Sequence, residues 1–311
     1  MPSESGYALG AAGLWAVSSF VINRGLTGLR SGSQPAGPAV VIGVLCSLTI
    51  GSIALGIASG VEINRSMFDL NVVLGGLLTF PIGTGLYYFT SVAYQDRAEV
   101  SSQYANVKPA LSIALGATLF GETFGTVEFV VSLIIGIGIV VILQEALRLR
   151  AGLVPVSLGL ALAIAWAGGE AFIRAATDSH TTLQISFGAL LSSLVIFVAA
   201  LGLYALVVLV APSRAHFALH DFSLQRAHAA FCLHGLLSFG LAYTLLFHSI
   251  GSMGLSRTIM ITVFWPSLAL ALGIMISRFS GRKYHISGSL ITAFLLFTCA
   301  SGIYVAATML A

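Results

Sequence analysis

Residues 183–211 read LQISFGALLSSLVIFVAALGLYALVVLVA, an apolar stretch without a single charged side chain. A helix needs about 20 apolar residues to cross the hydrocarbon core of a bilayer, and this stretch is longer than that. The strands of a membrane β-barrel would instead alternate polar and apolar side chains with period two, which this stretch does not do. It therefore predicts a transmembrane α-helix.

Nine further apolar stretches of similar character fill most of the chain. Charged residues make up 8% of the 311 residues, apolar residues make up 57%, and the mean hydropathy is +0.98. A soluble domain carries roughly 25% charged residues, so the surface of this protein faces a different solvent. We predict an all-α polytopic membrane protein with ten transmembrane helices. The predicted spans are 7–21, 39–59, 70–93, 100–121, 127–143, 156–173, 183–211, 229–250, 255–276 and 286–308.

Composition and motif content argue against several other classes of protein. The net charge is only +3 and forms no basic stripe, so we expect no nucleic-acid partner. The three cysteines, Cys46, Cys232 and Cys299, lie inside predicted spans and lack metal-ligand spacing. We find no convergent acid, base or metal-ligating groups, and therefore expect no catalytic residues, no metal and no cofactor. The chain is predicted not to be an enzyme.

Two landmarks recur in the two halves of the chain. Trp15 in the first span corresponds to Trp166 in the sixth, at an offset of 166 − 15 = 151 residues. Pro109 near the middle of the fourth span corresponds to Pro266 in the ninth, at an offset of 266 − 109 = 157 residues. Because five spans is an odd number, a second copy must enter the membrane from the opposite side, as in transporter repeats. We predict two inverted five-helix repeats, at residues 1–147 and 148–311.

The fourth span carries the most recognisable motif. Residues 100–122 read VSSQYANVKPALSIALGATLFGE, which ends in Leu-Phe-Gly-Glu, and the next span contains Gly136 and Gly138. With ten spans in two halves, the chain resembles the EamA-like branch of the drug/metabolite transporter superfamily. The corresponding stretch of the second half, 277–281, lacks the glutamate. The resemblance implies a carrier of small organic solutes, often an exporter, and a place in a bacterial cytoplasmic (inner) membrane.

Lys108 is the leading candidate for a site residue. It lies eight residues into an apolar span, where an ionisable group is costly and is a functional candidate by default. The following Pro109 lacks a backbone donor and frees carbonyl groups that can face a cavity. Lys108 could bind an anionic group of the solute. Alternatively it could extend its ammonium toward the membrane surface or pair with Glu99 or Asp96.

Glu170 and Arg174 are four residues apart on the sixth span, so they can neutralise each other as an ion pair. The functional alternative is that Glu170 points into the solute path together with Trp166, which lies one helical turn away. Arg24 is expected to mark the end of the first helix.

Aromatic and polar side chains within the spans complete the predicted solute site. Gln103, Asn106 and Pro109 follow one another at three-residue steps and give the fourth helix one polar face. Histidine within a span can relay protons or simply pack. The full set of predicted substrate-binding residues is Lys108, Trp166, Glu170, Tyr87, Tyr88, Gln103, Asn106, Trp15, His234 and Trp265.

Thirty-four glycines are present, some at the small-xxx-small spacing that lets membrane helices approach closely. Gly6 with Gly10 and Ser132 with Gly136 are two such pairs. We expect these positions to lie at contacts between helices.

The expected function is secondary transport of a small metabolite, such as an amino acid or another polar or amphiphilic solute. A proton is the candidate coupling ion and the lipid bilayer is the expected surrounding. The sequence leaves the oligomeric state open, a monomer included. The alternatives are a carrier of hydrophobic or cationic drugs, which an aromatic cage would favour, and a membrane enzyme or lipid scramblase.

Charge also predicts an orientation. Ten basic residues lie after odd-numbered spans, namely Arg24, Arg30, Arg97, Arg148, Arg150, Arg214, Arg226, Arg278, Arg282 and Lys283. Three lie after even-numbered spans, namely Arg65, Arg174 and Arg257. Basic loops stay in the cytoplasm, so the count predicts that both termini are outside. The family resemblance implies the opposite orientation, with both termini inside.

Overall fold

The computed structural model describes residues 2–32, 34–60, 63–94, 105–148, 152–279 and 287–310. Within these ranges the chain forms ten helical stretches in the predicted order. They are α1 Pro2–Arg30, α2 Ala36–Ser59, α3 Leu70–Ala93, α4 Lys108–Phe120, α5 Thr126–Arg148, α6 Leu153–Ala176, α7 Thr182–Val210, α8 His228–Met253, α9 Leu255–Thr262 continued by Trp265–Phe279, and α10 Gly288–Leu310.

Nine of the ten described helices are long and apolar enough to cross a membrane, and α4 is a shorter apolar helix. The described residues thus form an all-helical fold that is compatible with the predicted polytopic membrane protein. The boundary predicted between the halves adjoins residues 149–151, which lie outside the described ranges.

The first helix differs from its prediction. It runs to Arg30, so Arg24 lies inside the helix and does not mark its end. The guanidinium of Arg24 lies 4.9 Å from the ring centroid of Phe20, one turn earlier. A charged side chain that lies along an aromatic neighbour can keep its head group in a polar layer while the backbone stays helical.

Four helices depart from regular α-geometry. In α3 and α8, π-helical segments occupy Leu78–Thr84 and Gly235–Ala242. A turn at residues 106–107 precedes α4, and another at residues 263–264 interrupts α9. The π-helical segments begin 235 − 78 = 157 residues apart, and the helical segments after the two turns begin 265 − 108 = 157 residues apart.

Proline explains the two turns. Pro109 and Pro266 are each the second residue of the helical segment that follows a turn. A proline is tolerated in the first turn of a helix, where its missing N–H is not needed, but it interrupts a helix that continues through it. Pro109 therefore lies in the first turn of α4, whereas the sequence predicts it near the middle of the span.

Contacts between helices are extensive and cross between the two halves of the chain. Helix α1 packs on α8 and α9, whereas α6 packs on α3 and α4. Helix α2 packs on α7 and α8, α3 packs on α7, α4 packs on the first segment of α9, and α5 packs on α10.

The contact between α2 and α8 is tight because glycines lie within it. A side chain at Gly235 would collide with the carbonyl group of Ser47, and one at Gly43 would come 2.6 Å from the ring of Phe231. The hydroxyl of Ser47 donates to the carbonyl of Phe231 at 3.0 Å. Small residues thus bring the two backbones together, as is usual in membranes.

Two of the glycines that the sequence assigned to helix contacts do not lie at one. A Cβ at Gly6 or at Gly136 would meet no atom within 4 Å. Spacing alone did not distinguish the contact positions from the open ones.

We predict that replacing Gly235 by alanine destabilises the protein, because the added methyl group must separate α2 from α8. Overpacking of this kind costs about 1–3 kcal/mol. Gly136→Ala is the matched control, and it should be neutral or stabilising by up to about 1 kcal/mol because alanine favours the helix. Thermal unfolding in detergent measures both variants. Equal melting temperatures for the two would contradict this account of the α2–α8 contact.

Candidate functional site

A cavity of about 290 Å³ lies inside the helix bundle, between α1, α3, α4, α6, α8, α9 and α10. We call it the central cavity. Of the predicted site residues, seven line it: Trp15, Tyr87, Asn106, Lys108, Trp166, His234 and Trp265. Residues from both halves of the chain therefore form one wall around a shared space.

The charged feature of the cavity is an ion pair between α4 and α6. The ammonium Nζ of Lys108 lies 2.5 Å from Oε1 of Glu170. The hydroxyl of Ser112, one turn further along α4, donates to Oε2 of Glu170 at 2.9 Å. The Lys108 side chain is 15% exposed and the Glu170 side chain 1%, so the lysine faces the cavity and the glutamate lies behind it.

This pairing corrects the expectation for the sixth helix. Glu170 pairs with Lys108 and not with Arg174, although the i, i+4 spacing on one helix allowed that pair. Arg174 instead donates through Nη1 to Asp178 at 2.8 Å and to the hydroxyl of Thr177 at 2.9 Å. The physical reason is depth, because an acid in the interior of the bundle needs a partner there, whereas Arg174 lies in the last turn of its helix.

Aromatic rings form one wall of the central cavity. The ring of Trp15 lies 5.1 Å from that of Tyr243 and 6.5 Å from that of Trp265, both in edge-to-face geometry. The ammonium of Lys108 lies 5.7 Å from the ring centroid of Trp15. The ring of Trp15 on α1 thus lies beside the lysine, and aromatic side chains of α8 and α9 pack on that ring.

Trp166 forms a second part of the wall and depends on the π-helical segment of α3. Its indole N–H donates to the carbonyl of Thr79 at 3.2 Å, within that segment. A side chain at Gly83 would come 2.5 Å from the indole ring, so only glycine leaves room for it. The ring of Tyr87 lies 6.2 Å from that of Trp166. The irregular part of α3 therefore positions an aromatic residue from the other half of the chain.

His234 lines the cavity, and a hydrogen bond to a buried side chain holds its ring in place. Its Nδ1 forms a 2.6 Å hydrogen bond with the hydroxyl of the buried Ser18. Ser238, one turn along α8, also lines the cavity.

Three predicted site residues are not part of the described wall of the central cavity. Glu170 lies behind Lys108. Tyr88 is buried behind the wall, where its hydroxyl lies 3.3 Å from that of Ser47 and its ring packs on Phe231. Its neighbour Tyr87 takes the cavity position because adjacent residues of a helix point in different directions. Gln103 lies outside the described residues.

Sequence reasoning missed several residues of the site. Ser112 could have been found, since it lies four residues after Lys108 on the same helical face. Tyr243 could not be placed, because the π-helical segment between it and His234 changes the angle between their side chains. The remaining polar lining residues are Ser19, Asn23, Thr84 and Thr262. Among the residues that the structure describes, no group of three histidine, cysteine or acidic side chains could hold a metal ion.

No protein-family model matches this chain, and no curated protein does either. A protein of known crystal structure is similar in fold, with a TM-score of 0.65 and 18% sequence identity over 99% of both chains. Similarity at this level of identity shows the fold alone.

We predict that Lys108→Met destabilises the protein, because it leaves the buried carboxylate of Glu170 without its partner. Removing one member of a buried ion pair costs about 3–5 kcal/mol. The double variant Lys108→Met/Glu170→Gln, which has no buried charge at this place, should regain most of the lost melting temperature in detergent. A double variant that is less stable than either single variant would contradict the pairing.

Proposed function

We propose that the protein is a secondary transporter that moves a small organic solute across the membrane by alternating access to the central cavity. The observation that carries this proposal is a cavity inside a bundle of membrane helices that holds an ion pair and aromatic walls. Ionisable groups at membrane depth commonly mark solute or proton pathways.

The proposal includes two inverted five-helix repeats. Both the π-helical segments and the X-Pro breaks recur at an offset of 157 residues, in the third and fourth helices of each half. Contacts between helices support the same relation. Helix α1 packs on α8 and α9, the third and fourth helices of the second half. Helix α6, the first of the second half, packs in the same way on α3 and α4 of the first half. Broken helices at the interface of such repeats are typical of secondary transporters. We propose, on the resemblance of its Leu-Phe-Gly-Glu motif, that the chain is an EamA-like carrier.

The ion pair indicates the chemical class of the solute. A carboxylate on the solute can replace Glu170 as the partner of Lys108, and the aromatic wall can hold a solute ammonium. The rings of Trp15, Tyr243 and Trp265 provide an apolar surface for the rest of the molecule. We propose an amino-acid-like zwitterion or a related amphiphilic metabolite, and export as the direction of transport.

A proton is the proposed coupling ion. When a solute carboxylate pairs with Lys108, the carboxylate of Glu170, which is 1% exposed, loses its counter-charge. Protonation would remove that uncompensated charge, which is costly in a surrounding of low dielectric constant. Solute binding at Lys108 and proton binding at Glu170 are therefore linked.

A carrier of hydrophobic or cationic drugs is the second candidate, and the aromatic wall of the cavity favours it. The exposed member of the ion pair is a cation, however, and it would repel a cationic drug. A membrane enzyme or lipid scramblase is the candidate from a different class of protein. An enzyme would turn over lipid and a scramblase would move lipid between the leaflets, in both cases without solute uptake.

We predict that proteoliposomes containing the protein accumulate zwitterionic amino acids from a labelled panel of neutral, anionic, cationic and zwitterionic solutes. Lys108→Met/Glu170→Gln should reduce uptake to the level of empty liposomes, because it removes both charges of the site. Lys283→Met, which replaces the only other lysine of the chain, is the matched control and should leave uptake unchanged.

The same vesicles test the alternatives with a fluorescent lipid probe. Uptake that survives in the double variant would contradict the role of the ion pair. Lipid turnover or lipid movement without solute uptake would contradict the transporter.

A further inference from the structure

Glu122, the last residue of the Leu-Phe-Gly-Glu motif, fastens the two halves of the chain together. Helix α4 is terminated after Phe120 by Gly121, whose φ of +62° favours glycine, and the N–H of Glu122 donates back to the carbonyl of Gly116. This turn directs the Glu122 side chain to the beginning of α9. There its two carboxylate oxygens accept the N–H groups of Leu255 at 2.6 Å and Ser256 at 2.8 Å.

The carboxylate of Glu122 suits the beginning of α9. The first N–H groups of a helix have no acceptor within the helix, and the helix dipole favours a negative charge at that end. A carboxylate that accepts two backbone donors satisfies both requirements at once, although it belongs to a different half of the chain.

Two further contacts strengthen the same junction. The hydroxyl of Ser256 donates to the carbonyl of Ile113 on α4 at 3.2 Å. Nε of Arg174, in the last turn of α6, lies 4.0 Å from Oε1 of Glu122. We call the junction formed by Glu122, Arg174, Leu255 and Ser256 the Glu122 latch.

The latch lies at the opposite end of α4 from the central cavity. Lys108 begins α4 in the cavity wall, and the helix runs to Phe120, about 18 Å away at a rise of 1.5 Å per residue, with Glu122 two residues beyond it. Near the latch the helices are closed together, since Ile113, Ile173 and Leu255 are all buried. At the other end the cavity includes the exposed Asn23 of α1.

We propose that the Glu122 latch is the gate that closes the central cavity at this end, and that it must release before a solute can pass. This inference rests on the proposed transport function, because a gate has a role only if a solute passes through the cavity. Separating α4 from α9 here requires the carboxylate to give up both backbone donors, and α4 transmits the movement to Lys108.

The gate is predicted to be one-sided. The position 157 residues after Glu122 is Phe279, and residues 277–281 contain no acidic side chain. The second half therefore lacks the carboxylate for an equivalent latch at the opposite end. Without a solute, the equilibrium should favour the state that is closed at the Glu122 end.

The test measures how fast a buried cysteine at the latch is labelled. In a protein whose three native cysteines are replaced by alanine, Ile113→Cys is reacted with a membrane-impermeant maleimide in proteoliposomes. Ser252→Cys, at an exposed position at the end of α8, measures the fraction of molecules whose latch end faces the reagent. With Glu122 present, labelling at position 113 should be slow. Glu122→Gln should accelerate it roughly tenfold, since hydrogen bonds to a charged acceptor are lost.

A second variant and a control make the outcome decisive. Gly116→Ala keeps the charge but places a methyl group 2.6 Å from Oε2 of Glu122, so it should also accelerate labelling. This variant carries the test if Glu122→Gln does not fold. Glu145→Gln removes an equally buried carboxylate whose partner, Arg148, lies on the same helix, and it should change nothing.

Unchanged labelling at position 113 in well-folded Glu122→Gln and Gly116→Ala would overturn the gate, and so would equal acceleration by Glu145→Gln. Because labelling needs no solute, it is read independently of the transport assay. A failed gate leaves the uptake result standing, and failed uptake leaves the labelling result standing.

Discussion

A lysine and a glutamate that meet inside an apolar bundle constrain the whole arrangement of this protein. Neither Lys108 nor Glu170 is stable as a lone charge at membrane depth, so α4 and α6 must approach each other where these side chains lie. That contact joins the first half of the chain to the second. It also places one charged group at the edge of a cavity and hides the other behind it.

Irregular backbone makes room for this pair. The turns before Lys108 and Trp265 and the π-helical segments of α3 and α8 all border the central cavity. Each departure from α-geometry turns side chains away from regular helical positions or frees a carbonyl group, such as that of Thr79, which accepts from Trp166. In a membrane such freed groups need partners from other helices, so the irregular segments and the contacts between the halves depend on each other.

Most of the helices and part of the candidate site could be predicted from the sequence, for identifiable reasons. Bilayer-length apolar runs such as residues 183–211 reveal spans directly, and ionisable or aromatic residues within spans, such as Lys108 and Trp265, are conspicuous there. The partner of Glu170 was predicted wrongly, because local spacing pointed to Arg174 while the true partner is 62 positions away (170 − 108). Tyr243 was missed because a π-helical segment changes the direction of the side chains that follow it, and the amino-acid pattern does not predict such a segment. The end-capping role of Glu122 depends on a contact between halves that no spacing within one half reveals.

The most direct test of the central claim exchanges the two charges of the ion pair. If the pair serves only to hold α4 and α6 together, Lys108→Glu/Glu170→Lys should restore both stability and transport relative to the single variant Lys108→Glu. If Lys108 faces the solute, the exchange should restore the melting temperature while uptake stays at the level of empty liposomes. We predict the second result. Full recovery of solute uptake in the exchanged protein would contradict the account.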